Sequence, residues 1–179
     1  MTDREIWNDA VKVVRREYGE LGYAVRSALA GMSAALRHEK RSLHALTADR
    51  GAEGLCAACM GACCRSGKYH FSVADLLVFL ASGEEVFEPS FQAGSCPYLG
   101  KDGCRMEPSF RPFPCISFCC EEIHAGIPPK DLERLSALEN GVRVCYQRIE
   151  DLFGKPLMKS LFISYEGYLR DPVRGMISS

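Results

Sequence analysis

Cys56-Ala57-Ala58-Cys59-Met60-Gly61-Ala62-Cys63-Cys64 opens a segment that holds nine of the chain's ten cysteines. A second block follows: Cys96-Pro97, then Cys104, then Arg111-Pro112-Phe113-Pro114-Cys115, then Cys119-Cys120. A two-residue gap such as Cys56-x-x-Cys59 lets two sulfurs reach one ion from a tight turn, and Cys63 or Cys64 can add a third. Four cysteines in nine residues, with five more nearby, point to thiolate metal binding. The candidate ligands are Cys56, Cys59, Cys63, Cys64, Cys96, Cys104, Cys115, Cys119 and Cys120. Zinc is the expected metal, and iron or an iron–sulfur cluster the alternative, because thiolates hold both.

The adjacent pairs constrain the wiring. Neighbouring side chains point to opposite faces of a strand and diverge by about 100° on a helix. Cys63 and Cys64 are therefore poorly placed to share one ion, as are Cys119 and Cys120, and the two blocks are expected to interleave. Nine donors fit two four-sulfur sites with one thiol over, or one cluster with spare thiols. Nine crowded thiols without metal would be oxidisable, and as thiolates they would repel one another; a cation removes both problems. Cys96-Pro97 is reminiscent of the last ligand of a bacterial ferredoxin run. The order Cys-x-x-Cys-x-x-x-Cys reverses that of radical S-adenosylmethionine enzymes, which excludes that class. A thiol-exchange reading lacks the thioredoxin-like βαβ pattern it would need.

Outward from this segment the chain reads as helices. Residues 3–18 repeat apolar side chains at Ile6, Ala10, Val13, Val14 and Tyr18 behind a Thr2 or Asp3 cap, with Gly19 and Gly22 as interruptions. From 21 to about 48, Val25, Leu29, Met32, Leu36, Leu43 and Leu46 form a heptad-like stripe, with Arg37, His38, Lys40 and Arg41 mostly on the opposite face. The stripe predicts docking on the chain's own core. The sharper alternative is a homodimer seam or a protein partner held through this N-terminal helix.

Ser72, with Asp75 at the third helical position, caps a helix that runs to about Ser82 and ends at Gly83. Tyr69-His70-Phe71 reads as extended. Residues 83–129 contain seven of the nine prolines and no periodicity. So long a loop is unusual inside a compact domain unless something cross-links it. Structural zinc contributes about 10–16 kcal/mol in small peptides, enough to offset missing core burial. Pro128-Pro129 starts a last helical region with a stripe at Leu135, Leu138, Val142, Cys145, Ile149 and Leu152. Cys145 sits in that stripe as a core residue. A shorter helix is expected over 157–162, and the tail past Tyr168 gives no signal.

The expected fold is mainly α: a single domain over 1–179, with helical regions at 1–50 and 128–165 packed around a loop-rich, metal-stapled core at 56–120. The formal net charge of −1 provides no basic field for nucleic acid or membrane. The first residues are charged and lack an apolar signal region, so a cytoplasmic protein is expected, where structural disulfides are rare. No phosphate-binding glycine loop, nucleophile elbow or HExxH helix is present, which leaves no catalytic assignment.

In order and in most spacings, Cys56-x-x-Cys59-x-x-x-Cys63-Cys64, Cys96-Pro97-Tyr98-Leu99, Gly103-Cys104 and Arg111-Pro112-x-x-Cys115 resemble the CxxCxxCC family, the YkgJ-like cysteine-cluster proteins. The resemblance spans about residues 56–120 and implies zinc or iron chelation. The gap before Cys63 is one residue longer than in the family's shorthand, and the Cys119-Cys120 pair is additional. Some relatives are flagellin lysine methylases of much greater length; this chain shows no methyl-donor domain, so that activity is not expected. Arg111 is a candidate to steady the cluster sulfurs or a nearby carboxylate. His70 and His124 flank the cluster, but the sulfurs already suffice in number. His38 and His44 are expected to be solvated.

Overall fold

The computed structural model describes residues 1–48, 54, 66–92, 96–117 and 120–178. Among them the fold is mainly helical: α1 Asp3–Glu20, α2 Tyr23–Ala48, α3 Val73–Ala81, α4 Phe113–Ser117, α5 Glu121–Ala125, α6 Pro129–Phe153 and α7 Leu161–Arg170. The strands form one two-stranded hairpin, β1 Leu99–Gly100 and β2 Gly103–Cys104.

Local chemistry sets the helix ends. Thr2 and Glu5 form a capping box at α1, with Thr2 Oγ1 accepting from the Glu5 N–H and Glu5 accepting from the Thr2 N–H. Ser72 and Asp75 do the same at α3. Pro129 occupies the first turn of α6, and Gly154, at φ 63°, ends it in the left-handed conformation.

Helix α2 is the spine. It packs along α6 and also meets α3, α4 and the 3-10 turn Pro108–Phe110. Its stripe turns inward: Leu29, Leu36 and Leu43 are fully buried and Leu46 nearly so, while Val25 and Met32 are half-buried. The seven-residue step from Leu36 to Leu43 is filled by Lys40, which is also fully buried. This corrects the expectation that Lys40 faces solvent. Ser33 completes the same face, donating from Oγ to the Val78 carbonyl at 3.2 Å.

Helix α1 packs on α3 and α7. Its buried line is Trp7, Ala10, Val14 and Glu17, whereas Ile6, Val13 and Tyr18 are half-buried at its edges. Trp7 packs at a tilt on Phe71, with ring centroids 4.9 Å apart.

Three expectations change. The stretch 83–129 carries the hairpin, the 3-10 turn at 108–110 and the short helices α4 and α5, so it is not without regular structure. The last helix starts at Leu161, not Leu157. Leu157 instead lies in an extended stretch whose carbonyl accepts from the Ala74 N–H at 3.0 Å, and Ser160 bridges Ser72. The tail is docked: the Met176, Ile177 and Ser178 N–H groups converge on the buried Glu17 carboxylate at 2.7–3.1 Å. No helix of the described residues is long and apolar enough to cross a membrane.

Candidate metal centre

The hairpin sets the first two thiols. Leu99 pairs with Cys104 and Gly100 with Gly103, leaving Lys101-Asp102 as the turn. The Leu99 N–H reaches the Cys96 carbonyl at 3.1 Å, and the Arg105 N–H reaches the Tyr98 carbonyl at 2.8 Å. Cys96, Tyr98 and Cys104 thus belong to one tightly tied unit. A third thiol comes from α4. The Cys115 and Ile116 N–H groups bond to the Pro112 carbonyl, starting a short helix that presents Cys115.

Tyr98 lies between Cys96 and Cys104 in the hairpin unit. Its phenol is buried, and its pKa is held well above the usual tyrosine range, first by burial and then by the negative charge of Cys115, Cys96, Asp75 and Cys104. The Tyr98 hydroxyl has no hydrogen-bond partner among the described residues. A buried hydroxyl without a partner carries a desolvation cost of about 1–3 kcal/mol.

A nitrogen donor stands beside Cys115. Residues Gly67–Tyr69 form a 3-10 turn that closes with the His70 N–H on the Gly67 carbonyl at 3.0 Å, so Tyr69 and His70 are turned and not extended as the sequence suggested. His70 Nδ1 lies 3.3 Å from Cys115 Sγ. Gly67 lies against Cys96: a Cβ placed on it would come within 2.6 Å of Cys96 Sγ. Burial lowers the His70 pKa below its ordinary value, so the ring is neutral at pH 7.

Beneath the thiols runs a buried polar network. Lys40 Nζ donates to Asp75 Oδ1 at 3.2 Å and to the Arg111 carbonyl at 2.7 Å, and lies 5.0 Å from the centre of the Tyr146 ring. Asp75 also accepts from the Tyr146 hydroxyl at 2.5 Å and from Ser72 N and Oγ at 3.0 and 2.7 Å. Burial depresses the Lys40 pKa, while the charges of Asp75, Cys115 and Glu107 act to restore it. Arg111 donates from Nε to the Met106 carbonyl at 3.0 Å. It thereby closes the 106–111 stretch between the hairpin and α4, and its own carbonyl is the acceptor for Lys40.

The remaining candidates divide cleanly. Cys120, half-buried, precedes α5. Cys145 is buried in the α6 stripe, and its pKa is raised by burial and then by Glu39. His38 and His124 are exposed, and His44 is half-buried. Cys56, Cys59, Cys63, Cys64 and Cys119 lie outside the described residues.

The donor types suit a thiophilic cation: a neutral imidazole stands beside the Cys115 sulfur, and the Cys96 sulfur lies against the same turn at Gly67. Among the described residues, however, no group of three or more His, Cys, Asp or Glu side chains stands close enough to enclose an ion by itself. Lys40 and Tyr98, both invisible as site residues to spacing arguments, border the thiols. Tyr98 was marked only by its place after Cys96-Pro97, and Lys40 by filling the gap in the α2 stripe. Compared with known proteins, the chain matches no family model, no curated protein and no solved structure.

Proposed function

We propose that this chain is a cytoplasmic metal-binding protein that chelates zinc through clustered cysteine thiolates, in a structural or storage-and-delivery role. Cys96, Cys104 and Cys115 would supply described ligands, and Cys56, Cys59, Cys63, Cys64, Cys119 and Cys120 the others. The observation that carries this reading is the run of nine cysteines between Cys56 and Cys120, of which Cys115 stands 3.3 Å from His70 Nδ1. The motif's resemblance to the cysteine-cluster family supports the same chemistry. Bound zinc would deprotonate the thiols and cross-link the proline-rich segment to the helical frame.

A second reading, an iron–sulfur protein in redox chemistry or as an enzyme component, draws on Cys96-Pro97. Metal and acid-labile sulfide content, measured on protein purified without oxygen, separates the two. About two zinc per chain without sulfide or visible absorbance supports the zinc reading. Iron with matching sulfide replaces it with the second, and metal-free, folded protein overturns both.

A further inference from the structure

We propose that His70 ligates the same ion as Cys115, through Nδ1, so that this part of the centre is a mixed sulfur–nitrogen site. The inference rests on the metal-binding reading and adds a donor that cysteine spacing does not contain.

The separation is the first argument. A tetrahedral zinc with Zn–S of about 2.3 Å and Zn–N of about 2.0–2.1 Å places neighbouring sulfur and nitrogen ligands about 3.5 Å apart. His70 Nδ1 and Cys115 Sγ are 3.3 Å apart, close to one edge of such a tetrahedron.

The second argument is the anchoring of the ring. His70 is fixed from both sides along the chain. Its N–H closes the turn on Gly67, and Gly67 is pressed against the sulfur of Cys96. The next residue, Phe71, is fully buried, and its carbonyl accepts from the Leu161 N–H at 2.7 Å. The His70 backbone is therefore held in place on both sides, and from it the ring reaches Cys115.

Charge gives the third. A zinc held by four thiolates carries two net negative charges; replacing one thiolate by a neutral imidazole leaves one. The neighbourhood already holds the buried Asp75 carboxylate, with Lys40 as its buried cation. A mixed site places less negative charge beside that pair.

The test uses the full chain, loaded with zinc alone and labelled with nitrogen-15. A long-range proton–nitrogen correlation reads both ring nitrogens of each of the four histidines. The expected result is one imidazole, absent in His70→Ala, whose Nδ1 has the shift of a metallated nitrogen and reverts when a chelator is added. His38, His44 and His124 serve as internal references. His70→Cys should retain the zinc stoichiometry while losing that signal. His70→Ala should weaken zinc binding by at least the roughly 10–100-fold typical for losing a residue that supports a metal site. If zinc binds and the His70 nitrogens keep the shifts of a free imidazole, the inference fails and the thiolate reading stands. If His70 instead accelerates alkylation of Cys115 in the zinc-loaded protein, the pair is a thiol-activating dyad and the inference is overturned. If no zinc binds, the metal reading fails and takes the inference with it.

Discussion

Lys40→Met separates the charge of Lys40 from its volume. Methionine fills nearly the same space, so little cavity opens, but Asp75 loses its buried cation and the Arg111 carbonyl loses its donor. Breaking a buried ion pair by removing one partner costs about 3–5 kcal/mol. Asp75 would still accept from Ser72 N, Ser72 Oγ and Tyr146, which places the loss near the lower end, about 3 kcal/mol. For a chain of this size that corresponds to roughly 6–12 °C in Tm. The assay is urea denaturation, run with chelator and again with zinc. Asp75→Asn in the Lys40→Met background should restore part of the loss, because the unpaired charge is then gone. A double-mutant cycle should therefore give a coupling of at least about 1 kcal/mol. A Lys40→Met loss below about 1 kcal/mol, or additive single mutants, would refute the pairing argument. Since Lys40 grips the carbonyl just ahead of α4, zinc affinity should fall with stability.

Two further outcomes follow from the same geometry. Gly67→Ala drives a Cβ to 2.6 Å from Cys96 Sγ; overpacking of this kind costs about 1–3 kcal/mol, and zinc capacity should drop with it. Gly19→Ala, which meets nothing within 4 Å in the last turn of α1, is the control and should be neutral or mildly stabilising. At Glu17, burial pushes the carboxyl pKa up, but the Ile177, Met176 and Ser178 N–H groups outweigh it and leave the pKa below the ordinary 4.5. Its contribution is therefore present above pH 4.5 and lost as pH falls through the depressed value. Protection of the Met176–Ser178 amides from hydrogen exchange, taken relative to the intrinsic rate at each pH, should fall over that window, and Glu17→Gln should abolish that fall; equal protection profiles would rule out the clamp.

Much of the frame is legible from sequence because its signals are local. The Ser72–Asp75 box, Gly83 at φ 68°, Pro128-Pro129 and the Leu135–Leu152 stripe each act within a turn or two of chain. What escaped depends on distant partners. Leu157 and Leu161 have the apolar spacing of one helix. Yet pairing with residues 71–74 pulls Leu157 into an extended stretch and delays the helix by a turn. The tail has no periodic pattern, but Met176 and Ile177 are buried because Glu17, about 160 positions earlier, satisfies their N–H groups. At the proposed metal site, the cysteines are candidates by their spacing. His70 and Tyr98 do not, because nothing in the sequence says which side of their turns will face sulfur. One signal was available: the skipped position between Leu36 and Leu43 falls on the buried face, and a lysine there requires an anion.

That lysine joins the frame to the site. Lys40 resides in the centre of the α2 stripe, so the helical core cannot pack without burying its ammonium. Desolvation opposes this, and the Asp75 charge answers it only in part, leaving the Lys40 pKa below its ordinary value. Cys115 is the next charge that favours the ammonium form, but only as a thiolate. In the proposed zinc-loaded state the ion would deprotonate Cys115 and also take up most of its charge. Metal binding then acts on Lys40 in two opposed ways. A thiolate with residual negative charge steadies the ammonium, while the cation behind it repels the ammonium. The hydrogen bond from Lys40 to the Arg111 carbonyl is indifferent to that balance, since it needs only a donor. The network thus keeps the Cys115 helix in register whether the thiol is protonated, ionised or, as proposed, metal-bound.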